Sequence, residues 1–133
     1  MAKPFDASAK YLLEAFPADW PAYLGLAAGG PVRVLDADLS TITSDADKVL
    51  LVEAPEPWLV HVEIQASHDL SMPSRLLRYN VLLDYKHEKP VRSVVLLLRP
   101  EADSPSLDGA LQRRIPGEDP HHEFRYKVVR AWR

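Results

Sequence analysis

From Trp58 to Ala66 the chain alternates so regularly between apolar and polar side chains that the segment reads as a β-strand with two unlike faces. Successive strand residues point to opposite sides, so His61, Glu63 and Gln65 share one face, and Val60, Val62 and Ile64 the other. Just before it, Asp47 to Glu53 carries Val49, Leu50, Leu51 and Val52, apolar on both faces. That pattern predicts a strand internal to a sheet covered by helices. Ala54-Pro55-Glu56-Pro57 makes the turn between the two. The two strands are therefore expected as neighbours in the middle of a sheet, with Asp47 and Glu63 in apolar surroundings. An acid placed there is costly unless it is paired, hydrogen-bonded or bound to a metal.

The remaining segments supply the cover. Tyr11, Leu12, Ala15 and Phe16 recur at helical spacing behind Asp6 or Ser8 as a cap, and Pro17 and Pro21 bound that helix. A short second helix is expected over 20–27. Gly29-Gly30-Pro31 breaks the chain, and Val32 to Asp36 reads as a strand. A longer helix is expected from Ser71 to Lys86, with Met72, Leu76, Tyr79 and Leu83 within about 60° of arc. Leu77 and Val81 widen its apolar surface, which predicts a helix largely buried on the sheet. Val91 to Leu98 is a core strand, and Leu111 to Ile115 with Phe124 to Val129 form a C-terminal β-hairpin. The whole is read as a single α/β domain over 1–133, with helices flanking a mixed central sheet of about four strands.

Composition sets few limits beyond this. The 133 residues are 47% hydrophobic and 26% charged, ordinary values for a globular domain. No apolar run approaches the roughly 20 residues of a membrane helix, so no membrane partner is expected. The opening Met-Ala-Lys-Pro-Phe-Asp lacks the apolar stretch of a signal peptide. The absence of cysteine removes disulfides and thiolate zinc sites and agrees with a cytoplasmic location. The net charge of −3 hides an asymmetry: residues 1–71 sum to −7 and residues 72–133 to +4. An acidic half suited to metal and a basic half suited to phosphate is one reading; solvated faces of opposite sign are the other.

Two carboxylates on adjacent strands can hold Mg²⁺ or Mn²⁺, hard cations that keep several waters, with the Ile64 backbone carbonyl as a third ligand. A cation so held could activate water against a phosphodiester. Gln65 can orient that water or a phosphate oxygen. His61 shares the face of Glu63 as an accessory ligand or proton shuttle; a hydrogen-bonded histidine at a sheet face is the structural alternative. Asp38, with Asp36, could add a ligand, or simply form a turn. Arg75 and Arg78 suit phosphate contact, and could equally pin the two acids structurally.

Several segments together resemble a known family. Phe5-Asp6, Lys10, Asp38-Leu-Ser, Ala46-Asp47-Lys48-Val49-Leu50, Glu63-Ile-Gln65-Ala-Ser67 and Met72-Pro-Ser-Arg75-Leu-Leu-Arg78-Tyr79 occur in that order. They are similar to the bacterial PD-(D/E)XK nuclease family of transposases, which includes recombination-promoting nucleases. The resemblance runs from Phe5 to about Trp132 and is most specific from Glu63 to Tyr79. It implies a restriction-endonuclease-like αβββαβ core and Mg²⁺-dependent DNA cleavage. In that pattern Asp47 is the aspartate, Glu63 the acid of the (D/E)-x-K element, and Gln65 stands at the lysine position, as in this branch. Members often continue well beyond a point such as Arg133, so a truncated chain is expected, and double-strand cutting implies a homodimer. The expected activity is endonucleolytic hydrolysis of DNA. A nuclease fold that only binds DNA or a protein, and a metal-free acid/base hydrolase, are the alternatives.

Overall fold

A computed structural model describes residues 4–23, 30–34 and 46–133. The chain divides into two compact units, Met1–Thr43 and Ser44–Arg133. In the first, helix α1 spans Pro4–Ala15, a 3-10 turn covers Pro17–Asp19, and α2 covers Trp20–Tyr23. Phe16, at φ −133° and ψ 57°, leaves the helical region because Pro17 crowds the residue before it. The strand expected over 32–36 is absent from its described part: 32–34 lie in no ladder. Its remainder, with Asp36 and Asp38, lies outside the described residues.

The second unit carries the two strands of opposed character. β1 (Lys48–Val52) runs antiparallel to β2 (Trp58–Gln65), with Lys48 opposite Val62 and Val52 opposite Trp58. α3 (Met72–His87) then carries the chain back, and β3 (Val91–Leu97) pairs parallel with β2, placing Glu63 beside Val95. β4 (Ala110–Arg113) and β5 (His122–Arg125) form a separate antiparallel hairpin, and β6 (Lys127–Arg130) joins β3 in parallel. The main sheet is thus mixed, four-stranded, and ordered β1-β2-β3-β6.

Three expectations change. Among the described residues β1 is an edge strand rather than a central one, and Val49, Leu50 and Leu51 are 39–55% exposed. Its two-sided apolar pattern does not place it inside the sheet; no described strand pairs with its other edge. The fourth strand is β6, not 32–36, because the run read as one hairpin arm over 124–129 divides at Tyr126. The Tyr126 N–H donates to the Gly109 carbonyl at 3.0 Å, ending the hairpin and turning the chain toward the main sheet. α3 is buried through Met72, Pro73, Leu76 and Tyr79, whereas Val81, Leu82 and Tyr85 are exposed. Of the two positions expected to widen the apolar surface, Leu77 packs on the core and Val81 does not, so the helix is buried along one stripe.

The core follows from that stripe. Met72 and Leu76 pack with Val95 and Leu97 of β3, Ala102, Leu107, and Phe124 and Tyr126 from the hairpin end. Burying each large aliphatic side chain contributes about 1.5–3 kcal/mol. α3 and the hairpin thereby cover one face of the sheet, the face that also carries His61, Glu63 and Gln65 of β2.

Candidate functional site

Period-2 alternation puts three polar side chains beneath this cover: His61 is 0% exposed, Glu63 2% and Gln65 9%. Burial without partners would be prohibitive, and the partners are present. The Glu63 Oε2 accepts the Asp47 backbone N–H at 2.9 Å and the ring nitrogen Nε2 of His61 bonds to it at 3.1 Å. In return, the Asp47 Oδ2 accepts the Ile64 N–H at 2.9 Å. Asp47 stands one residue before β1, where the antiparallel ladder with β2 has just ended. These reciprocal bonds replace the next rung of that ladder and bring the two carboxylates to one corner of the sheet. A strand residue's N–H and C=O project to the same edge, so the Ile64 carbonyl faces that corner as well.

His61 is held from behind. Its Nδ1 lies 2.8 Å from the Ser93 Oγ on β3, and the Asn80 Nδ2 of α3 donates to the same Oγ at 3.1 Å and to the Val91 carbonyl at 2.8 Å. Tyr79 meets the imidazole in a T-shaped contact with ring centroids 5.4 Å apart, and the Arg78 guanidinium sits 5.5 Å from the Tyr79 ring centroid. With both ring nitrogens engaged, His61 orients Glu63 and is not disposed to ligate a cation itself. Ser93 and Asn80 are the residues that sequence reasoning missed. The available signal was an uncharged polar residue in each of two largely apolar runs, Ser93 in Val91 to Leu98 and Asn80 in Leu76 to Leu83.

The other expected site residues divide. Gln65 is buried beside Glu63, its Nε2 donating to the Ser67 carbonyl at 2.6 Å, and its Oε1 makes no hydrogen bond among the described residues. Arg75 lies 3.7 Å from Asp69, not beside Asp47 or Glu63, so the structural pinning of the acids by arginine is not seen. Asp69 is itself occupied in starting α3. Its Oδ1 accepts the hydroxyl of Ser71 at 2.6 Å and the Ser71 N–H at 2.9 Å, bonds that hold its carboxyl below the ordinary value of 3.8. Arg78 is exposed on the same helix.

Among the described residues no cluster of three or more His, Asp or Glu side chains is disposed to hold a metal. The donor set present is two carboxylates and a carbonyl edge. Asp47 Oδ1 and Glu63 Oε1 make no hydrogen bond among the described residues, so each acid keeps one oxygen for a ligand. Such a set fits Mg²⁺, which commonly binds through one or two carboxylates and retains water, and does not fit a metal needing a full protein cage. No helix among the described residues is long and apolar enough to cross a membrane. The chain matches no protein-family model, no curated protein and no solved structure.

Proposed function

We propose that this chain is a Mg²⁺- or Mn²⁺-dependent endonuclease domain that hydrolyses DNA phosphodiesters, of the recombination-associated kind its segments resemble. The observation that carries the reading is the reciprocal clip between Asp47 and Glu63–Ile64, which leaves one oxygen of each carboxylate available at one corner. Asp47, Glu63 and the Ile64 carbonyl would hold the cation. Bound there, the cation lowers the pKa of water and offsets charge developing on the scissile phosphate. The free Oε1 of Gln65 would accept a hydrogen bond from the attacking water and so orient its lone pair toward phosphorus. Water oxygen bonds to phosphorus as the ester P–O bond breaks; the water's proton passes to solvent and the leaving oxygen takes one from solvent, with no covalent enzyme intermediate. Arg75 and Arg78, on the helix that follows β2, are offered as phosphate contacts. Cutting both strands with one centre per chain requires two copies, which extends the reading to a homodimer.

A second reading has its own observation. The amide of Gln65 is turned to the Ser67 carbonyl, and a neutral glutamine where the resembled pattern has lysine offers the phosphate no charge. On that ground the domain is a binding module for DNA or a protein, with slow or no turnover.

Nicking of supercoiled plasmid separates the two. The enzyme reading expects nicking with Mg²⁺ or Mn²⁺ that stops with EDTA and is lost in Asp47→Ala and Glu63→Ala. Retention of DNA without nicking supports the module. Hydrolysis that persists in EDTA overturns the metal-dependent reading.

A further inference from the structure

We propose that Asn80, Ser93 and His61 form a positioning chain that fixes both the tautomer of His61 and the orientation of Glu63 toward a divalent cation. The inference rests on the reading of Glu63 as a cation ligand. It begins at a backbone carbonyl, which can only accept. The Asn80 Nδ2 lies 2.8 Å from the Val91 carbonyl, so the amide nitrogen faces Val91 and its second hydrogen reaches the Ser93 Oγ at 3.1 Å. Ser93 thus receives a donor on one lone pair, and its hydroxyl lies 2.8 Å from the Nδ1 of His61. At the other end the Glu63 carboxylate can only accept, so the Nε2 of His61, 3.1 Å from Oε2, is the donor. Neutral His61 then carries no hydrogen on Nδ1, which takes the Ser93 hydroxyl hydrogen.

The directions are set from the two ends, the Val91 carbonyl and the Glu63 carboxylate, both of which only accept, and the chain between them crosses three elements: α3, β3 and β2. At the end of the chain Glu63 Oε2 takes two donors, from His61 and from the Asp47 N–H, while Oε1 takes none among the described residues. That asymmetry leaves Oε1 as the coordinating oxygen. His61 and Ser93 are wholly buried, so water does not compete for these bonds, and the Tyr79 ring restrains the imidazole from the side. A buried network that served packing alone would need satisfied partners. It would not need Glu63 to take both its donors on the same oxygen.

The test uses the full chain. Long-range proton–nitrogen correlation of the histidine rings near neutral pH is expected to give the Nε2–H tautomer for His61; an Nδ1–H tautomer overturns the proposal and needs no variant. Mn²⁺ binding is then read from the electron paramagnetic resonance of free Mn²⁺. Ser93→Ala, which removes only a hydroxyl, is expected to weaken Mn²⁺ binding about 10- to 100-fold with an unchanged circular dichroism spectrum, and Ser93→Thr to restore it. Should Ser93→Ala not fold, Asn80→Ala takes its place, with weakening again expected. Mn²⁺ affinity equal to wild type in these variants, while Asp47→Ala still loses it, overturns the positioning chain and leaves the cation site standing. Absence of Mn²⁺ binding in the wild type overturns both.

Discussion

Glu63 illustrates how one side chain can serve stability and chemistry through different atoms. Its Oε2 accepts the His61 Nε2–H and the Asp47 N–H; its Oε1 is the oxygen available to a ligand. The two roles separate by substitution. Glu63→Gln keeps a carbonyl oxygen for both donors but puts an amide group where the cation-facing oxygen was. Glu63→Ala removes the acceptor and leaves the Nε2–H of a fully buried His61 unsatisfied, at a cost of about 1–3 kcal/mol. Urea unfolding is therefore expected to place Glu63→Gln near wild type and Glu63→Ala below it by that amount, while both lose metal-dependent nicking. Equal stability of the two variants would mean that the His61 bond contributes nothing. That Glu63 needs partners was legible, because an acid in an apolar strand cannot be buried alone; Asp47, exposed and one residue before β1, meets it through its backbone N–H. Ser93 and Asn80 were not legible, since a serine or asparagine in an apolar run signals no particular neighbour.

At the scale of elements, β2, α3 and β3 were readable because each repeats a period over its own length, and their observed limits lie within a residue or so of those expected. The boundary between β5 and β6 was not. Phe124, Tyr126 and Val128 alternate without a break, and the division comes from a bond to Gly109, distant in sequence. Gly109 permits that contact. It sits at φ +88°, and a Cβ there would meet the Tyr126 carbonyl oxygen at 3.2 Å. Gly117, in the hairpin turn, has a similar φ of +84° but open space around it. Alanine at either position carries the left-handed backbone cost of about 1–2 kcal/mol. Only Gly109→Ala adds a close contact with backbone that also anchors β6. Chemical denaturation is expected to rank Gly109→Ala clearly below Gly117→Ala, and the reverse order would sink the account of why the hairpin ends there.

On the scale of the whole Ser44–Arg133 unit, what local pattern could not supply was the partner of β3. The strand expected over 32–36 was replaced by β6, whose place in the sheet depends on contacts made after the hairpin closes. One of these is ionic. Arg130 on β6 grips Asp103, just after β3, through its Nε at 2.7 Å and Nη2 at 3.1 Å. The Arg130 hydrogen bond, above all, holds the Asp103 carboxyl below its ordinary value of 3.8. A carboxyl whose pKa is lower folded than unfolded binds its proton more readily in the unfolded chain. Its stabilising contribution is therefore complete above the unfolded value and is lost as pH falls through the folded one. Asp103→Asn removes this ionisation. The melting temperature of wild type is expected to exceed that of Asp103→Asn by a constant margin from neutral pH down to about pH 5. The margin should then shrink below the ordinary value of 3.8. Both groups are partly exposed, so added salt is expected to narrow the margin at neutral pH. A difference that stays constant down to pH 2 would show that the bidentate pair does not tie β6 to the sheet through its charge.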